Sequence, residues 1–299
     1  TVAENEKKNK LDKQFETYMT QEDLNCSIKG VCDLFDVRAN QGLDASKNEI
    51  RPGAKPRSTA TRYLHYTELF ANDEIDAVIV ATPDHWHARI AMAAAKAGKH
   101  VYCEKGLTRT FDEAIALHDI VKETGITFQL GHQNRQVEAN EKAKQIIRQG
   151  LLGKVNLVEL ATNRNSPWGA WVWNIHPKGN AKTIDWDTFQ EPSPNKFPFG
   201  EEALKRFFRW RCWFDYGTGL SGDLLSHDFD AINQIMDLGI PKYASSTGGI
   251  YFYKDGRDVP DVWNATFEYP DKDLTVLYSQ IFIGVFKSCI PNIRNIASI

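Results

Sequence analysis

Residues 75–82 read IDAVIVAT. A mostly apolar run of this length is typical of a strand that is covered on both faces, and Pro83 ends it. The following residues, 87–99 (HARIAMAAAKAGK), are rich in alanine and predict a helix that Gly98 closes as a C-terminal cap. Residues 100–103 (HVYC) predict a second strand. The segment therefore predicts strand, helix and strand in succession.

The same alternation continues toward the C-terminus. Thr110 is followed three residues later by Glu113, which is the pattern of a capping box at a helix start. This helix is predicted to run to about Thr124 and to end at Gly125, and residues 126–130 (ITFQL) predict a third strand. Strands that alternate with helices predict a parallel sheet with right-handed crossovers.

The second half of the chain has a different pattern. After a predicted helix at 139–149, residues 154–162 (KVNLVELAT) alternate apolar and polar side chains, as in a half-exposed strand. Similar segments follow at 243–253, 261–269 and 274–279. We therefore expect an α/β protein of two domains, residues 1–135 with the parallel sheet and residues 136–299 with a mixed or antiparallel sheet.

The composition excludes several classes of protein. The 299 residues carry 36 basic and 39 acidic side chains, a net charge of −3, which argues against a nucleic-acid partner and against a polybasic membrane anchor. No stretch approaches the ~18 apolar residues of a membrane span. The five cysteines are odd in number and lack the spacing of metal ligands, so we expect no disulfide framework and no zinc ribbon. The cellular compartment stays open between cytoplasm and export.

Polar side chains follow the predicted strands at their carboxyl ends, where open parallel sheets bind ligands. They lie at Asp33, in 82–87, in 104–106 and in 131–135. An acid such as Asp33 binds the adenosine ribose in dinucleotide folds, although it can also be a plain turn residue. Residues 1–32 contain one glycine and no G-x-G-x-x-G motif. Either the fold is not a dinucleotide fold, or its first strand and glycine turn are missing.

Three further side chains in these segments have alternative interpretations. Lys105, beside Glu104 at a strand end, can donate a hydrogen bond to a substrate hydroxyl or carbonyl oxygen, or can be a solvated surface lysine. His85 and His87 are two residues apart and share a face of an extended segment, as metal ligands do. Polar loop histidines are more common, and we expect no metal.

A polar stripe lies on a predicted helix at 222–238. One face of this helix is apolar, and the other carries polar side chains with the same spacing: Asp223, His227, Asp230 and Gln234. Asp223 and His227 are one turn apart, close enough for the carboxylate to orient or charge the imidazole. The pair suits a general acid or base with its orienting partner. A solvated helix face with a structural histidine stays equally open.

These segments together resemble the glucose–fructose oxidoreductase, inositol dehydrogenase and rhizopine-catabolism (Gfo/Idh/MocA) family. The resemblance runs from about Cys32 to Ser279 and is carried by VCD (31–33), AVIVATPDHWH (77–87), AGKHVYCEKG (97–106), GHQNR (131–135) and GDLLSHDFD (222–230). It implies an N-terminal Rossmann domain and a C-terminal α/β domain with an open, largely antiparallel sheet. It also implies NAD(P)-dependent oxidation or reduction of sugars, inositols and related polyols.

The resemblance implies a role for each matching residue. Asp33 would hold the adenosine ribose and favour NAD, with NADP as the alternative cofactor. The other implied cofactor contacts are Thr82, Pro83, His87, Glu104, Lys105 and Asn134. Lys105 would also touch the substrate hydroxyl that is oxidised, Asp223 would position the substrate, and His227 would take or give the proton as hydride moves.

The sequence also departs from the family pattern. Gly106 stands where the family has proline, which leaves the placement of Lys105 less constrained. The absent glycine turn and an unfamiliar tail after about residue 280 predict an incomplete member of the family. The family further implies a homo-oligomer formed through the open sheet.

Several alternatives stay open on the sequence alone. The tryptophans in the second half can stack on a sugar ring or plug an interface; they are Trp168, Trp171, Trp173, Trp186, Trp210 and Trp213. The protein can be a glycosidase or epimerase that uses NAD transiently, or a binding relic without activity. A metal-dependent hydrolase or isomerase would use His85, His87, Asp223 and His227.

Overall fold

The computed structural model describes Glu16 and residues 24–47, 59–164 and 170–282. The chain forms two compact units. The first comprises residues 1–76 and 178–185, and the second comprises residues 77–177 and 186–299. The domain boundary at 135/136 stays a prediction. None of the described helices has the length and apolar character needed to cross a membrane.

The first unit contains a small parallel sheet. Strands β1 (Gly30–Cys32) and β2 (Thr61–Tyr63) pair in parallel, and the helices are α1 (Asp36–Ser46) and α2 (Tyr66–Phe70). Phe35, 1% exposed, lies between β1 and α1 and forms an antiparallel bridge with residue 184. The later segment 178–185 is thereby joined to the turn that follows β1.

The second unit begins with the other parallel strands. They are β3 (Ala77–Val80), β4 (His100–Glu104) and β5 (Phe128–Gly131), in the order β3-β4-β5, and the intervening helices are α3 (Asp84–Lys96) and α4 (Phe111–Thr124). Three alanines of α3 are fully buried, Ala91, Ala94 and Ala95, because a small side chain lets the helix pack closely. The capping box of Thr110 and Glu113 is present. The predicted parallel α/β arrangement is confirmed, with β3 shorter than the apolar run.

A four-stranded mixed sheet follows in the same unit. Its strands β6 (Leu157–Asn163), β7 (Tyr243–Gly249), β8 (Val262–Tyr269) and β9 (Leu274–Ile281) lie in the order β6-β9-β8-β7. The β6–β9 pair is parallel and the other two pairs are antiparallel. The predicted second sheet is therefore confirmed as mixed.

Between β5 and β7 the described residues form four α-helices, and the last of them packs on the mixed sheet through its apolar face. They are α5 (Glu138–Arg148), α6 (Trp186–Gln190), α7 (Glu201–Phe208) and α8 (Ser226–Met236), and a π-helical turn, Ser221–Leu225, precedes α8. On α8, Phe229, Ile232 and Met236 pack against a buried cluster that includes Tyr269 and Val276. The apolar face predicted for this helix is confirmed. Its polar stripe consequently points away from the sheet.

Candidate functional site

An ion pair between Lys105 and Asp223 forms the centre of the candidate site. Lys105 follows the end of β4, and its Nζ lies 2.7 Å from Oδ1 of Asp223 and 2.7 Å from the main-chain oxygen of the same residue. The two side chains are 12% and 8% exposed. Lys105 at the strand end and Asp223 on the polar stripe were identified from separate patterns in the sequence. They are in direct contact in the structure.

Asp223 is held by two more donors. Arg211 Nε lies 2.8 Å from Oδ1, and Trp171 Nε1 lies 3.1 Å from Oδ2. Burial opposes the charge of Asp223, but the cations of Arg211 and Lys105 outweigh it and hold the pKa below its ordinary value. Asp223 is therefore a fixed carboxylate that orients its neighbours. From the sequence, Arg211 beside Trp210 could bind an acidic substituent of a ligand or an internal carboxylate, but Asp223 was not identified as that carboxylate.

His227 follows Asp223 by four residues, and the charge of the Asp223 carboxylate acts on its ring by opposing the fall of the His227 pKa. Among the described residues, no hydrogen bond or ion pair joins them, and the Asp223 carboxylate faces Lys105, Arg211 and Trp171 instead. The physical reason is the π-helical turn at 221–225. Hydrogen bonds in such a turn run to the fifth residue, so side chains four apart do not stack as in an α-helix.

His227 nevertheless has the properties of a proton acceptor. Burial lowers its pKa, and the neighbouring Lys105 and His132 lower it further. The ring is thus neutral at pH 7. Its Nδ1 is buried and has no hydrogen-bond partner in the described part of the chain. A neutral imidazole beside an ammonium group can take a proton from a hydroxyl.

A second charged cluster, not anticipated as a unit, adjoins His227. The His132 ring centroid lies 5.8 Å from that of His227, and His132 Nδ1 lies 3.4 Å from Oδ1 of Asp230. Arg135 binds the same carboxylate through Nε at 2.9 Å and Nη2 at 2.7 Å. Burial lowers the pKa of His132, although Asp230 opposes this effect. The clue in the sequence was that Asp230 lies on the stripe and His132 at a strand end.

The remaining stripe residue, Gln234, contacts the same segment. Its Nε2 lies 3.1 Å from the main-chain oxygen of Arg135. Asn134 lies in the single 3₁₀ turn after β5, and its main-chain oxygen accepts from Asn140 at 2.9 Å. The role predicted for the Asn134 side chain stays a prediction. Asp230 and Gln234 thus face the segment that follows β5, whereas Asp223 faces Lys105 at the end of β4.

Glu104 lies beside this site on β4. Its Oε1 accepts hydrogen bonds from Tyr102, at 3.2 Å, and from Gln133, at 3.0 Å. Burial and the carboxylate of Glu104 together raise the pKa of Tyr102. The adjacent peptide bond between Lys105 and Gly106 is cis. The contact of Glu104 with a nicotinamide stays a prediction.

The turn between β3 and α3 carries the other predicted cofactor residues of this unit. Pro83 is the N-cap of α3, and Thr82 Oγ1 is buried without a hydrogen-bond partner in the described residues. His87 is buried at 1% exposure, and both of its ring nitrogens contact main-chain oxygens. Its predicted contact with a cofactor stays a prediction, since its described contacts are with the protein.

Asp33 belongs to the first unit and follows β1 as predicted. Its Oδ1 accepts from the main-chain nitrogen of Phe35 at 2.8 Å. Burial raises the pKa of Asp33, whereas that N–H donor and the charges of Arg38 and Arg62 oppose the rise. Asp33 is therefore both a turn residue and a partly buried acid at a strand end.

Several of the tryptophans that the sequence singled out, and also His85, are buried in the structure. Trp171, Trp186 and Trp213 are buried, which favours packing over ligand stacking for these three. Trp168 lies outside the described residues. His85 is buried, with Nε2 at 2.7 Å from the main-chain oxygen of Phe189. No group of three or more metal-ligating side chains comes together in the part of the chain that the structure describes.

Comparison with known proteins places part of the chain in a family. Residues 22–132 match the model of an oxidoreductase family with an NAD-binding Rossmann fold, the Gfo/Idh/MocA family. Over this segment the match confirms the resemblance inferred from the motifs. At the level of the family, NAD is confirmed as the cofactor.

Individual relatives are similar over part of their length. Levoglucosan dehydrogenase of Pseudarthrobacter phenanthrenivorans is 28% identical over 62% of this chain and 41% of its own length. An alpha-N-acetylgalactosaminidase of Shewanella oneidensis is 27% identical over 51% of this chain and 35% of its own. The chain thus spans less than half the length of these relatives.

A solved structure of a levoglucosan dehydrogenase, in complex with NADH and levoglucosan, has a similar fold. It superposes with a TM-score of 0.59 at 20% identity, covering 85% of this chain and 58% of its own. At this identity the likeness establishes the fold. It agrees with the Rossmann-type sheet and the mixed sheet described above.

Proposed function

We propose that this protein is an NAD(P)-dependent oxidoreductase, because residues 22–132 match the model of an oxidoreductase family with an NAD-binding Rossmann fold. It transfers a hydride between the nicotinamide cofactor and a hydroxyl-bearing carbon of a sugar, an inositol or a related polyol. The observation that carries the proposal is the buried ion pair of Lys105 and Asp223 beside the neutral ring of His227.

Strand-end residues of each unit, taken separately, are proposed as contacts of the dinucleotide. Asp33 offers a carboxylate for ribose hydroxyls, as acids at this position of a Rossmann fold do. The buried hydroxyl of Thr82 has no partner among the described residues and suits a polar group of a ligand. Glu104 and Asn134 complete the proposed contacts. When bound, the nicotinamide supplies the atom that accepts or releases the hydride.

Lys105 is proposed to bind the substrate hydroxyl. An ammonium group has three N–H donors. Two of them serve the carboxylate and main-chain oxygens of Asp223, which leaves one donor that no described residue takes. A positive charge at this point stabilises the alkoxide character that develops on the hydroxyl oxygen as the proton leaves.

His227 is proposed to exchange the proton of that hydroxyl. Its lowered pKa keeps the ring unprotonated at neutral pH, which is the form that accepts a proton in the oxidative direction. Asp223 acts through Lys105: its fixed carboxylate holds the ammonium group in place. Lys105 and His227 are proposed to contact the reacting hydroxyl, and Asp223 is the positioning residue of Lys105.

The proposal is tested with Lys105→Ala and His227→Ala in the full chain. Each is expected to lower kcat by about 100-fold or more on a panel of sugars and polyols that includes levoglucosan and myo-inositol. The dissociation constants of NADH and NADPH, followed by the fluorescence of the reduced nicotinamide, should stay within about twofold of wild type. Near-normal turnover in either variant would refute the assignment, and cofactor binding without any turnover in wild type would favour a binding relic.

A second candidate function is a glycosidase that uses NAD transiently. The similarity to the Shewanella oneidensis alpha-N-acetylgalactosaminidase is the observation that favours it. In this case the full chain with NAD would release p-nitrophenol from a p-nitrophenyl glycoside without accumulating NADH. Net formation of NADH on a free sugar supports the dehydrogenase instead.

We also propose that the protein forms a homo-oligomer through the exposed side of its mixed sheet. Edge strand β7 is exposed along most of its length, and Ile240, Tyr243, Tyr251 and Phe252 near it are large exposed apolar side chains. Such a surface is typical of an interface. Light scattering coupled to size-exclusion chromatography gives the mass, and a monomer at micromolar concentration contradicts this part of the proposal.

A further inference from the structure

His87 joins two loops of the candidate site by its two ring nitrogens. Nδ1 lies 2.8 Å from the main-chain oxygen of Gly106, and Nε2 lies 2.6 Å from the main-chain oxygen of Thr82. A carbonyl oxygen can only accept a hydrogen bond. Two hydrogen bonds to these oxygens require a hydrogen on both nitrogens, which only the imidazolium form of the ring has.

The surroundings contain the counter-charge for such a cation. Asp84, 3% exposed, lies in the same first turn of α3, and its Oδ2 accepts from the main-chain nitrogen of Thr218 at 2.9 Å and from its Oγ1 at 2.6 Å. Burial raises the pKa of Asp84, whereas Thr218 and the charge of His87 oppose the rise. A buried ion is tolerated when it is paired and hydrogen-bonded.

The other titratable and charged groups near this pair do not replace it. His85 is buried, which lowers its pKa to about 4, so the ring is neutral. Arg211 and Asp223 also act on Asp84 through their charges. These two are already bound to each other at 2.8 Å. The positive partner on the same helix turn as Asp84 is therefore His87.

The peptide that His87 holds is also packed from its other side. A Cβ atom placed on Gly106 would lie 2.9 Å from Thr218 Oγ1, so Thr218 is in close contact with this glycine. Thr218 is in turn held by Asp84. The main chain at Gly106, next to Lys105, thus lies between two groups that belong to one buried network.

We propose that His87 is a positioning residue that stays in the imidazolium form and fixes the Gly106 peptide, and with it Lys105, to the turn after β3. The catalytic part of this inference rests on the function proposed above. The proposed charge state of His87 does not depend on that function, because it is inferred from the two contacts with main-chain oxygens. The two parts call for separate measurements.

The charge state is measured by two-bond ¹H–¹⁵N spectroscopy of the ¹⁵N-labelled full chain at pH 7, without cofactor. His87 should show two protonated ring nitrogens, and the signal should vanish in His87→Gln, which assigns it. His85 is the internal reference, because a neutral ring shows one unprotonated nitrogen. An unprotonated nitrogen in the His87 ring would overturn the proposal whether or not the protein is an oxidoreductase.

The positioning role is measured with His87→Gln, which removes one of the two directed donors. We expect kcat to fall by about 10- to 100-fold, since a small displacement of a catalytic group has effects of this size, while NAD affinity changes by less than about threefold. His118→Gln is the matched control, because His118 is an exposed helical histidine. Wild-type kcat in a folded His87→Gln protein would refute the positioning role, and if that variant does not fold, the spectroscopic measurement still decides the charge state.

Discussion

Lys105 and Arg211 donate to the same oxygen of Asp223, at 2.7 and 2.8 Å. One carboxylate thus compensates two cations in a site where its own side chain is 8% exposed. Removing that negative charge leaves two neighbouring positive groups without a partner. Removing one partner of a buried ion pair lowers the free energy of unfolding by more than the intact pair contributes to it, because the remaining charges are left buried without a partner.

Asp223→Asn is therefore expected to destabilise the fold by about 3 kcal/mol and to reduce turnover strongly. Urea denaturation gives the free energy of unfolding, and steady-state kinetics gives kcat. Asp237→Asn is a suitable control, because Asp237 is an exposed acid at the end of α8. An unfolding free energy equal to that of wild type would contradict the role of Asp223 as the shared counter-charge.

The titration of His227 should depend on Lys105. Burial and the ammonium charge hold the pKa of His227 below its ordinary value of 6.5, so oxidation is expected to lose rate only as the pH falls below that value. In Lys105→Met, one opposing charge is gone and the pKa must rise. NMR titration of the His227 ring in the two proteins measures the shift directly. A pKa that stays constant or falls would show that Lys105 does not act on this ring.

Asp33 should control the choice between NAD and NADP. Arg38 and Arg62 lie close enough to influence its carboxylate. Asp33→Ser removes the acid that repels a 2′-phosphate and leaves these two cations in place. We expect the ratio of Kd values to shift toward NADP by about 10-fold or more, in line with the role of arginine in NADP sites.

The comparison for Asp33 is Asp44→Ser, on the exposed side of α1, where the acid pairs with Lys47. This variant should keep the wild-type preference. Isothermal titration with each nucleotide measures both constants. If the ratio of the Kd values for NAD and NADP is unchanged in Asp33→Ser, the adenosine ribose does not bind at Asp33.

Gly222 leaves no room for a side chain in the π-helical turn. A Cβ atom there would lie 1.9 Å from Thr218 Oγ1 and 2.4 Å from Thr218 Cβ. Gly222→Ala is expected to cost about 3 kcal/mol through overpacking and to displace Asp223. Gly200→Ala, at a site with no atom within 4 Å of the added Cβ, should cost little. Thermal unfolding of both variants checks the difference, and equal midpoints would contradict it.

The parallel sheet and the helix faces were predictable because they depend on local periodicity. The run before Pro83 and the capping box of Thr110 and Glu113 specify their elements without long-range information. The apolar line through Phe229 and Met236 likewise predicted which face of α8 packs on the sheet. These signals lie within one or two turns of chain.

The arrangement of the candidate site was only partly predictable. Lys105, Asp223 and His227 were identified from a strand end and a stripe, but an α-helical spacing was assumed for the last two. A π turn depends on tertiary contacts, such as the bond from Lys105 to the main-chain oxygen of Asp223. The pairing of Arg211 with Asp223 joins two segments across a loop. No periodicity in the sequence reports such a contact.

The strand order of the mixed sheet has a consequence for the way in which the chain folds. β9 lies between β6 and β8, and Leu157 of β6 pairs with Thr275 of β9. The ladder partner of β6 is therefore synthesised long after β6 itself has left the ribosome. Pairing between segments that are distant in the chain is slow. The mixed sheet is therefore expected to form late in folding, because β6 cannot complete its ladder until β9 has been synthesised.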